Sequence, residues 1–346
     1  MKIVFCGGGT AGHVTPNLAL IDEQLPETQC YYIGGCDADK LLVAPYEENG
    51  KIVAYTQLSA SKLQRKLTPK NLTLPFKLIK SIRQAKSILE EISPNIVFSK
   101  GGYVGLPVVI AAHRLKIPVI AHESDMSMGL ANKITALYAT KMLSTFPMKG
   151  TTCVGAIVRK QTFTGNKQKG LQTMGFDGRK PVFLVTGGSL GAKDLNDAVA
   201  QNYRLSQKFD VFVITGKGKH INCDFVKQAE FVHNIGDIFA AADVCLTRSG
   251  SNSLCELTLA RVPFVTAPLT NCSRGEQLQN AKWFEENGCG ICMNNESLVR
   301  DLYAAVSAAY DNRATIIAKQ QKQRNLYGTE RVAKILSESC RRVERK

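Results

Sequence analysis

"FCGGGTAGHVTPNLAL" (residues 5–20) follows a short apolar run and leads into a helix-forming one. Gly7, Gly9 and Gly12 fit G-x-G-x-x-G, the turn that joins the first strand and helix of a doubly wound α/β domain. In such a turn, backbone N–H groups and the helix N-terminus face outward together, which suits an anion. A dinucleotide site also wants an acidic residue about 20 positions on, at the end of the second strand. Asp37 follows "YYIGG" and offers that match, although "CDAD" equally fits a solvated loop. His13, directly after the last glycine, has no use in a dinucleotide fingerprint. The turn therefore stays open to a second reading.

Working outward, apolar β-rich runs alternate with helical stretches. "IVFC", "CYYIG", "NIVFS", "PVIAH" and "KMLST" are separated by segments such as "LTLPFKLIKSIRQAKSILEEI" and "LPVVIAAHRL". Continuously apolar strands predict a parallel sheet covered on both faces. A second cycle opens with "PVFLVTGG" and runs through "FDVFVITGKG", "AEFVHNI", "ADVCLTRSG", "VPFVTAPL" and "GCGICM". Two doubly wound α/β halves follow, with a ligand expected in the cleft between them. "KQTFTGNKQKGLQTMGFDGRK" between the halves reads as a linker or edge loop. The last segment, "GTERVAKILSESCRRVERK", reads as an amphipathic helix with a basic end.

The totals agree with two domains: 346 residues, 44% of them hydrophobic. The net charge of +15 favours anionic partners, which include nucleic acid, phosphorylated metabolites and acidic membrane surfaces. Eleven cysteines are scattered through apolar segments. "CGIC" is the only C-x-x-C, with no second pair nearby, so packing cysteines in a reducing compartment are expected rather than a zinc site. Met1 runs straight into a strand, and the longest apolar stretch is broken by His113, Arg114 and Lys116. Neither a signal peptide nor a membrane-spanning helix is expected, and the reading is cytoplasmic.

The second half carries the sharper pattern. "TRSGSNSLCELTLARVPFVTAPL" runs strand, turn, helix, strand, with small hydroxylated residues at the helix start. That start accepts a phosphate, or is simply a serine-rich cap. Glu256 falls one turn in, where a carboxylate can accept two ribose hydroxyls or merely complement the helix dipole. Arg274, Glu276, Gln277 and Asn280 follow the next strand and are read as sugar-hydroxyl ligands. Asp37-Ala38-Asp39 also spells D-x-D, a metal–nucleotide motif of some sugar transferases, but three residues are too short to carry that assignment.

Taken together, "GGGTAGHVTPNLAL", "FSKGGYVGLPVVIAAHRLKIPVIAHES", "GLANKI", "VGAIVRK", "TGGSLGAKDLN", "RSGSNSLCEL" and "EQLQNA" resemble the MurG family of bacterial peptidoglycan N-acetylglucosaminyltransferases, in order and spacing along essentially the whole chain. The resemblance implies a GT-B fold of class α/β. Residues 1–157 would form a Rossmann-like domain facing acceptor and membrane, and 158–326 a second one binding UDP-GlcNAc. The last helix, within 327–346, would cross back to the first. It implies inverting transfer of GlcNAc from UDP-GlcNAc to the 4-hydroxyl of MurNAc in undecaprenyl-pyrophosphoryl-MurNAc-pentapeptide, lipid I to lipid II. No cofactor is required by this family's chemistry, and stimulation by a divalent cation stays open. The location implied is peripheral, on the cytoplasmic face of the cell membrane, with no nucleic-acid partner.

By the same resemblance, Gly188, Ser189 and Gly191 approach the donor diphosphate. Ser251, Asn252, Ser253 and Glu256 hold phosphate and ribose, and Val232 reads the uracil through its backbone. Gln277 binds GlcNAc, and Arg159 belongs to the nucleotide set. Thr10, Ala11 and Gly12 approach the donor sugar. His13 is the candidate general base, or else a group that only orients the acceptor; a histidine has the near-neutral pKa such a base needs. Glu123 is either a second acid–base group or a residue that orders the acceptor loop. Gly101, Gly102 and Tyr103, with Asp125, address the acceptor and its pyrophosphate.

Lys62, Arg65, Lys66, Lys70, Lys77, Lys80, Arg83 and Lys86 surround Leu72, Leu74, Phe76, Leu78 and Ile79. That mixture fits a membrane interface, or an amphipathic helix packed on the core. Ala11 stands where the family has glycine, and Ser124-Asp125 where it has Gln-Asn, which bears on acceptor detail. The alternatives are another GT-B UDP-sugar transferase and, from another class, an NAD(P)-dependent oxidoreductase. A nucleic-acid binder lacks the basic, aromatic-interleaved stretches it would need.

Overall fold

The computed structural model describes residues 1–60, 74–188, 190–269 and 275–344. The chain divides into two compact units, Met1–Ile157 with Tyr327–Lys346, and Val158–Leu326. In the first, β1 (Lys2–Cys6), β2 (Gln29–Gly34), β3 (Ala54–Gln57), β4 (Ile96–Ser99), β5 (Val119–Glu123), β6 (Lys141–Ser144) and β7 (Thr152–Cys153) form one parallel sheet, ordered β3-β2-β1-β4-β5-β6-β7. Its helices are α1 (Ala11–Asp22), α2 (Asp37–Glu48), α3 (Leu74–Ile92), α4 (Gly102–Arg114) and α5 (Leu130–Thr135).

The second unit repeats the plan. β8 (Val182–Thr186), β9 (Asp210–Ile214), β10 (Val226–Ala229), β11 (Val244–Thr247), β12 (Phe264–Thr266) and β13 (Ile291–Cys292) are ordered β10-β9-β8-β11-β12-β13, again parallel. Before, between and after them lie α6 (Lys167–Met174), α7 (Lys193–Ala200), α8 (Arg204–Lys208), α9 (Ile235–Ala241), α10 (Ser251–Leu259), α11 (Glu276–Glu286), α12 (Leu298–Asp311) and α13 (Arg313–Gln321). The chain then returns to the first unit as α14 (Thr329–Glu344).

Side-chain alternation explains why β1 has no polar face. Ile3 and Phe5 join one core with Val14 and Leu18 of α1 and Val332 and Leu336 of α14. Val4 and Cys6 join the opposite core with Leu89 of α3 and Val108 of α4. Each such fully buried aliphatic or aromatic side chain contributes about 1.5–3 kcal/mol. Burial pushes the Cys6 thiol up to about 12 and raises Cys245 further, as for packing groups rather than reactive ones. Strand order reverses between β1 and β4, and between β8 and β11. Ligands of such sheets bind at these switch points, outside the carboxyl ends of the strands.

Three expectations need correction. The supposed linker holds α6, capped by Asn166, whose side chain accepts from the Lys169 amide at 3.0 Å. This short polar helix is held by packing: Gly170 lies against the Asp237 carbonyl of α9, where a Cβ would collide. "AEFVHNI" is not a strand, since β10 ends at Ala229 and the chain turns through 230–234 into α9. "CDAD" is not a solvated loop: Asp37 and Asp39 occupy the first turn of α2, and Asp39 is buried.

Candidate functional site

At the first switch point, the opening glycine turn already holds an anion of its own. The Asp39 carboxylate accepts from the Gly9 amide at 2.9 and 3.0 Å and from the Gly35 amide at 2.9 Å. Asp37, the acid that the dinucleotide reading assigns to a ribose, stands in the first turn of α2, while its neighbour Asp39 is bonded to the turn itself, so the D-x-D pair loses its second carboxylate. Among the described residues, no cluster of three or more His, Cys, Asp or Glu side chains is placed to hold a metal.

Thr10 caps α1 in an extended conformation, and Ala11 opens the helix. Ala11 is absent from the described non-glycine residues with positive φ, so its methyl costs no backbone strain. One turn in, His13 Nδ1 lies 2.8 Å from Thr10 Oγ1. Its Nε2 faces Gly102, where an added Cβ would stand 3.4 Å away. For Nε2 to take a proton, Nδ1 must carry the hydrogen and donate it to Thr10 Oγ1.

The β4–α4 turn meets this loop from the other side of the switch point. Gly101 has φ of 87° and abuts Asn132 Oδ1, a combination that excludes any side chain. The Tyr103 ring covers Gly9 and crosses from one glycine turn to the other. Burial, then the charges of Cys36 and Asp39, raise the Tyr103 hydroxyl pKa.

Glu123 is buried at the end of β5 and all of its acceptor positions are engaged. Oε1 accepts from the Ser124 amide at 2.9 Å and the Asp125 amide at 3.1 Å. Oε2 accepts from the Gly129 amide at 3.0 Å and Asn132 Nδ2 at 2.9 Å. This geometry orders the 124–129 loop and leaves the carboxylate little room for proton transfer. Asp125 itself is half-buried on that loop.

Two residues here had no role in the sequence reading. Lys100, 3% exposed, donates to His122 Nδ1 at 2.8 Å and to Ser124 Oγ. His122, fully buried, donates from Nε2 to the Gly155 carbonyl at 3.1 Å. Burial first, then the Lys100 charge, hold His122 well below its usual pKa, so it stays neutral. A lysine inside the apolar run "NIVFSK" was the available signal.

In the second unit, the β8–α7 turn closes through the Gly191 amide on the Gly188 carbonyl at 2.9 Å. Gly191 has φ of 63° and abuts the Thr215 carbonyl; beside Gly188 the space is open. Ser189 lies outside the described residues. Across the switch point, Gly250 caps α10 with an extended backbone. Ser251 is buried there, and Asn252 and Ser253 are half-buried.

Glu256 is half-buried on α10. Desolvation pushes its pKa up to about 7, opposed by the charge of Arg159. Val232 sits in the β10–α9 loop between the exposed rings of Phe231 and His233, which meet edge to face at 5.3 Å. Gln277 Oε1 accepts from the Leu269 amide at 3.0 Å, which leaves its NH2 group as the end able to donate.

Asn280 departs from expectation. It is fully buried, and its amide donates to the Ser249 carbonyl at 3.1 Å, so it braces the α10 entry and does not face a ligand. Arg274 lies outside the described residues. Arg248, missed from sequence, is buried beneath the same turn. It donates to the Ala267 carbonyl at 2.7 Å, to Asn295 Oδ1 at 2.6 Å and to the Asp194 carboxylate. Burial works to raise the Asp194 pKa, and Arg248 more than offsets it, holding that carboxyl below the usual range.

The chain matches the glycosyltransferase family 28 N-terminal domain over residues 3–144 and its C-terminal domain over residues 182–338. A protein of Lachnoclostridium phytofermentans is 38% identical over 355 residues, spanning 97% of this chain and 98% of its own length. One of Clostridium botulinum is 42% identical over 335 residues, spanning 91% of this chain and 92% of its own. Both bear the name UDP-N-acetylglucosamine--N-acetylmuramyl-(pentapeptide) pyrophosphoryl-undecaprenol N-acetylglucosamine transferase. The solved MurG of Acinetobacter baumannii superposes with a TM-score of 0.74 at 21% identity, covering 97% of this chain and 99% of that one. A kitacinnamycin glycotransferase superposes at 0.75 with 15% identity over 98% of each chain. These two likenesses speak for the fold, which is GT-B. With both family domains in sequence order and relatives matching nearly end to end, the chain belongs to glycosyltransferase family 28 and, within it, to the MurG family.

Proposed function

We infer that this chain transfers GlcNAc from UDP-GlcNAc to the 4-hydroxyl of MurNAc in undecaprenyl-pyrophosphoryl-MurNAc-pentapeptide, with inversion, making lipid II from lipid I. The observation that carries the reading is the near end-to-end identity, 38–42%, with transferases named for that reaction. The second unit's turns supply the donor chemistry. The β8–α7 turn, where Gly188 and Gly191 allow close approach, and the amides at the α10 start hold the diphosphate and stabilise charge on the departing UDP. Glu256 accepts the ribose hydroxyls, Val232 meets the uracil, and Gln277 donates to the sugar. In the first unit, His13 takes the acceptor proton as the hydroxyl attacks, while Gly101, Gly102 and Tyr103 seat the pyrophosphate. No resident metal or cofactor enters this scheme, because the turns and helix N-termini provide the charge stabilisation.

Incubation with labelled UDP-GlcNAc and a lipid I analogue is expected to give a β-linked disaccharide–lipid product. In parallel, UDP-GlcNAc is expected to raise the melting temperature and NADH to leave it unchanged. Stabilisation by NADH alone, with no transfer, overturns the reading.

We further propose a peripheral seat on the anionic cytoplasmic leaflet. Among the described residues, no helix is long and apolar enough to cross a membrane. α3 instead carries two apolar faces. Ile82, Ala85 and Leu89 are buried in the core, while Phe76, Leu78 and Ile79 remain exposed beside Lys77, Lys80, Arg83 and Lys86. Lys62, Arg65, Lys66, Lys70 and Leu72 lie outside the described residues, as does the side chain of Leu74. Near an anionic surface each cation contributes about 1 kcal/mol. Changing Lys66, Lys70, Lys77 and Lys80 to Glu is expected to weaken binding to anionic vesicles in low salt by on the order of a thousandfold. Unchanged vesicle sedimentation removes this role from the segment.

A further inference from the structure

The opening turn has no side chains of its own with which to become ordered. Residues 7–9 are Gly-Gly-Gly, and Gly9 has φ of 83°, a conformation that glycine enters and leaves at little steric cost. Thr10 follows at once, caps α1 and holds His13 Nδ1. Whatever fixes Gly9 therefore also sets the pair on which proton transfer depends.

Side chains from β2, α4 and α2 do the fixing. Tyr32 donates to the Gly7 carbonyl at 3.0 Å, and its hydroxyl accepts from Asn17 Nδ2 at 3.2 Å. The Tyr103 ring lies against Gly9. The Asp39 carboxylate takes the Gly9 amide with both oxygens and the Gly35 amide with Oδ2, and so ties the β1–α1 turn to the β2–α2 turn. Asp39 is 1% exposed, and a Cβ at Gly8 would collide with its carboxylate. The two amides replace the water that a buried carboxylate gives up.

The second unit engages its opening turn from the other side. Asp39 is the fifth residue after β2 ends at Gly34, and Lys219 is the fifth after β9 ends at Ile214. β2 lies beside β1 as β9 lies beside β8, so the two side chains come from equivalent places. Lys219 donates to the Leu190 carbonyl at 2.6 Å and to the Gly191 carbonyl at 3.2 Å. A lysine on carbonyls does not compete with a phosphate for a turn's amides, whereas a carboxylate on an amide does. The first turn of a doubly wound domain is where nucleotide phosphates sit, and in the first unit Asp39 stands in for one.

We propose that Asp39 is a positioning residue for the transfer: as the protein's own anion on the Gly9 amide, it closes the opening turn to a ligand phosphate and fixes the Thr10–His13 pair. The proposal rests on the transferase reading above and assigns Asp39 no contact with either substrate.

The test is steady-state transfer from UDP-GlcNAc to a lipid I analogue, expressed per folded molecule from melting curves on the same samples. Asp39→Ala is expected to lower kcat by about 10–100-fold, as a displaced reacting group does, with both KM values within about twofold of wild type. Sodium formate, a carboxylate small enough to enter the space left by the side chain, is expected to restore most of the lost rate in Asp39→Ala and to leave wild type unchanged. Asp37→Ala removes an acid from the same turn of α2 and is expected to keep the wild-type kcat. A carboxylate that serves stability alone lowers the melting temperature and leaves kcat per folded molecule as it was. Should Asp39→Ala not fold, Asp39→Asn decides by the same split of kcat and KM, because it keeps the shape but turns an N–H donor toward one of the two amides. A kcat within about twofold of wild type in the deciding variant overturns the proposal, as does a loss carried by KM instead. So does an Asp39→Ala rate indifferent to formate, or an equal loss in Asp37→Ala. A wild-type protein that transfers no GlcNAc overturns the transferase reading instead, so the two failures are distinguishable.

Discussion

His13→Ala lowers kcat by about 10²–10⁴-fold, the contribution of a positioned general base, while UDP-GlcNAc affinity stays within twofold. The expectation follows from the ring's surroundings. Thr10 Oγ1 fixes Nδ1 at 2.8 Å, which orients Nε2 toward Gly102 at the start of α4. The hydroxyl that attacks an anomeric carbon is a poor nucleophile until its proton is taken, and imidazole takes it at neutral pH without prior activation. Glu123 offers no substitute, because its two oxygens already accept four N–H donors. Steady-state rates with saturating lipid I analogue and donor measure the effect. A residual rate within tenfold of wild type removes His13 as the base and leaves it an orienting role. Thr10→Val, which loses the Nδ1 partner but keeps the side chain's shape, is expected to fall between the two.

Glu256→Gln weakens UDP-GlcNAc binding by about 10–150-fold and flattens its dependence on pH. A hydrogen bond to a charged group contributes roughly 1.5–3 kcal/mol, and the amide loses that charge. In the ligand-free protein, burial holds Glu256 near pKa 7, Arg159 opposing. The ribose hydroxyls are donors and call for the carboxylate, so affinity should rise with pH through about 7 and level off above it. Below 7 the proton must leave first, which costs up to tenfold in affinity per pH unit.

The stability effect has the opposite sign. A carboxyl whose folded pKa is raised favours folding while it is protonated. It loses that advantage as pH climbs from about 4.5 through 7. Glu256→Gln should therefore melt higher than wild type at pH 8 while binding donor more weakly. Calorimetric titration at pH 6, 7 and 8, with melting curves on the same samples, tests both signs. A wild-type affinity that is flat across this range is incompatible with Glu256 as the ribose acceptor.

The fold was legible where burial on both faces leaves no polar alternation. β1, β4, β8 and β11 are nearly continuous apolar runs, as is the start of β5, because helices cover each side of their sheets. The short strands were not: β3 reads AYTQ, β7 reads TC and β10 reads VKQA, half-polar segments at or near sheet edges. α6 escaped notice for a related reason. Its sequence, KQKGLQTM, is short and mostly polar with a glycine in the middle, so no apolar periodicity marks it, and Gly170 matters only because α9 lies against it.

The sequence by itself determined two parallel α/β halves, the glycine turns at their switch points, and the set of residues able to meet a nucleotide, a sugar and a pyrophosphate. These are local matters of hydrophobic pattern, turn chemistry and spacing. Only the tertiary structure decided which polar groups serve the fold and which are left to serve a ligand. Asp39 is bonded to a glycine 30 residues away, Asn280 to a carbonyl 31 residues away, and Lys100 to partners 22 and 24 residues away. A carboxylate, amide or ammonium carries no local mark of such a partner. Its role is fixed when folding removes it from water and something distant in the chain must replace the lost hydrogen bonds.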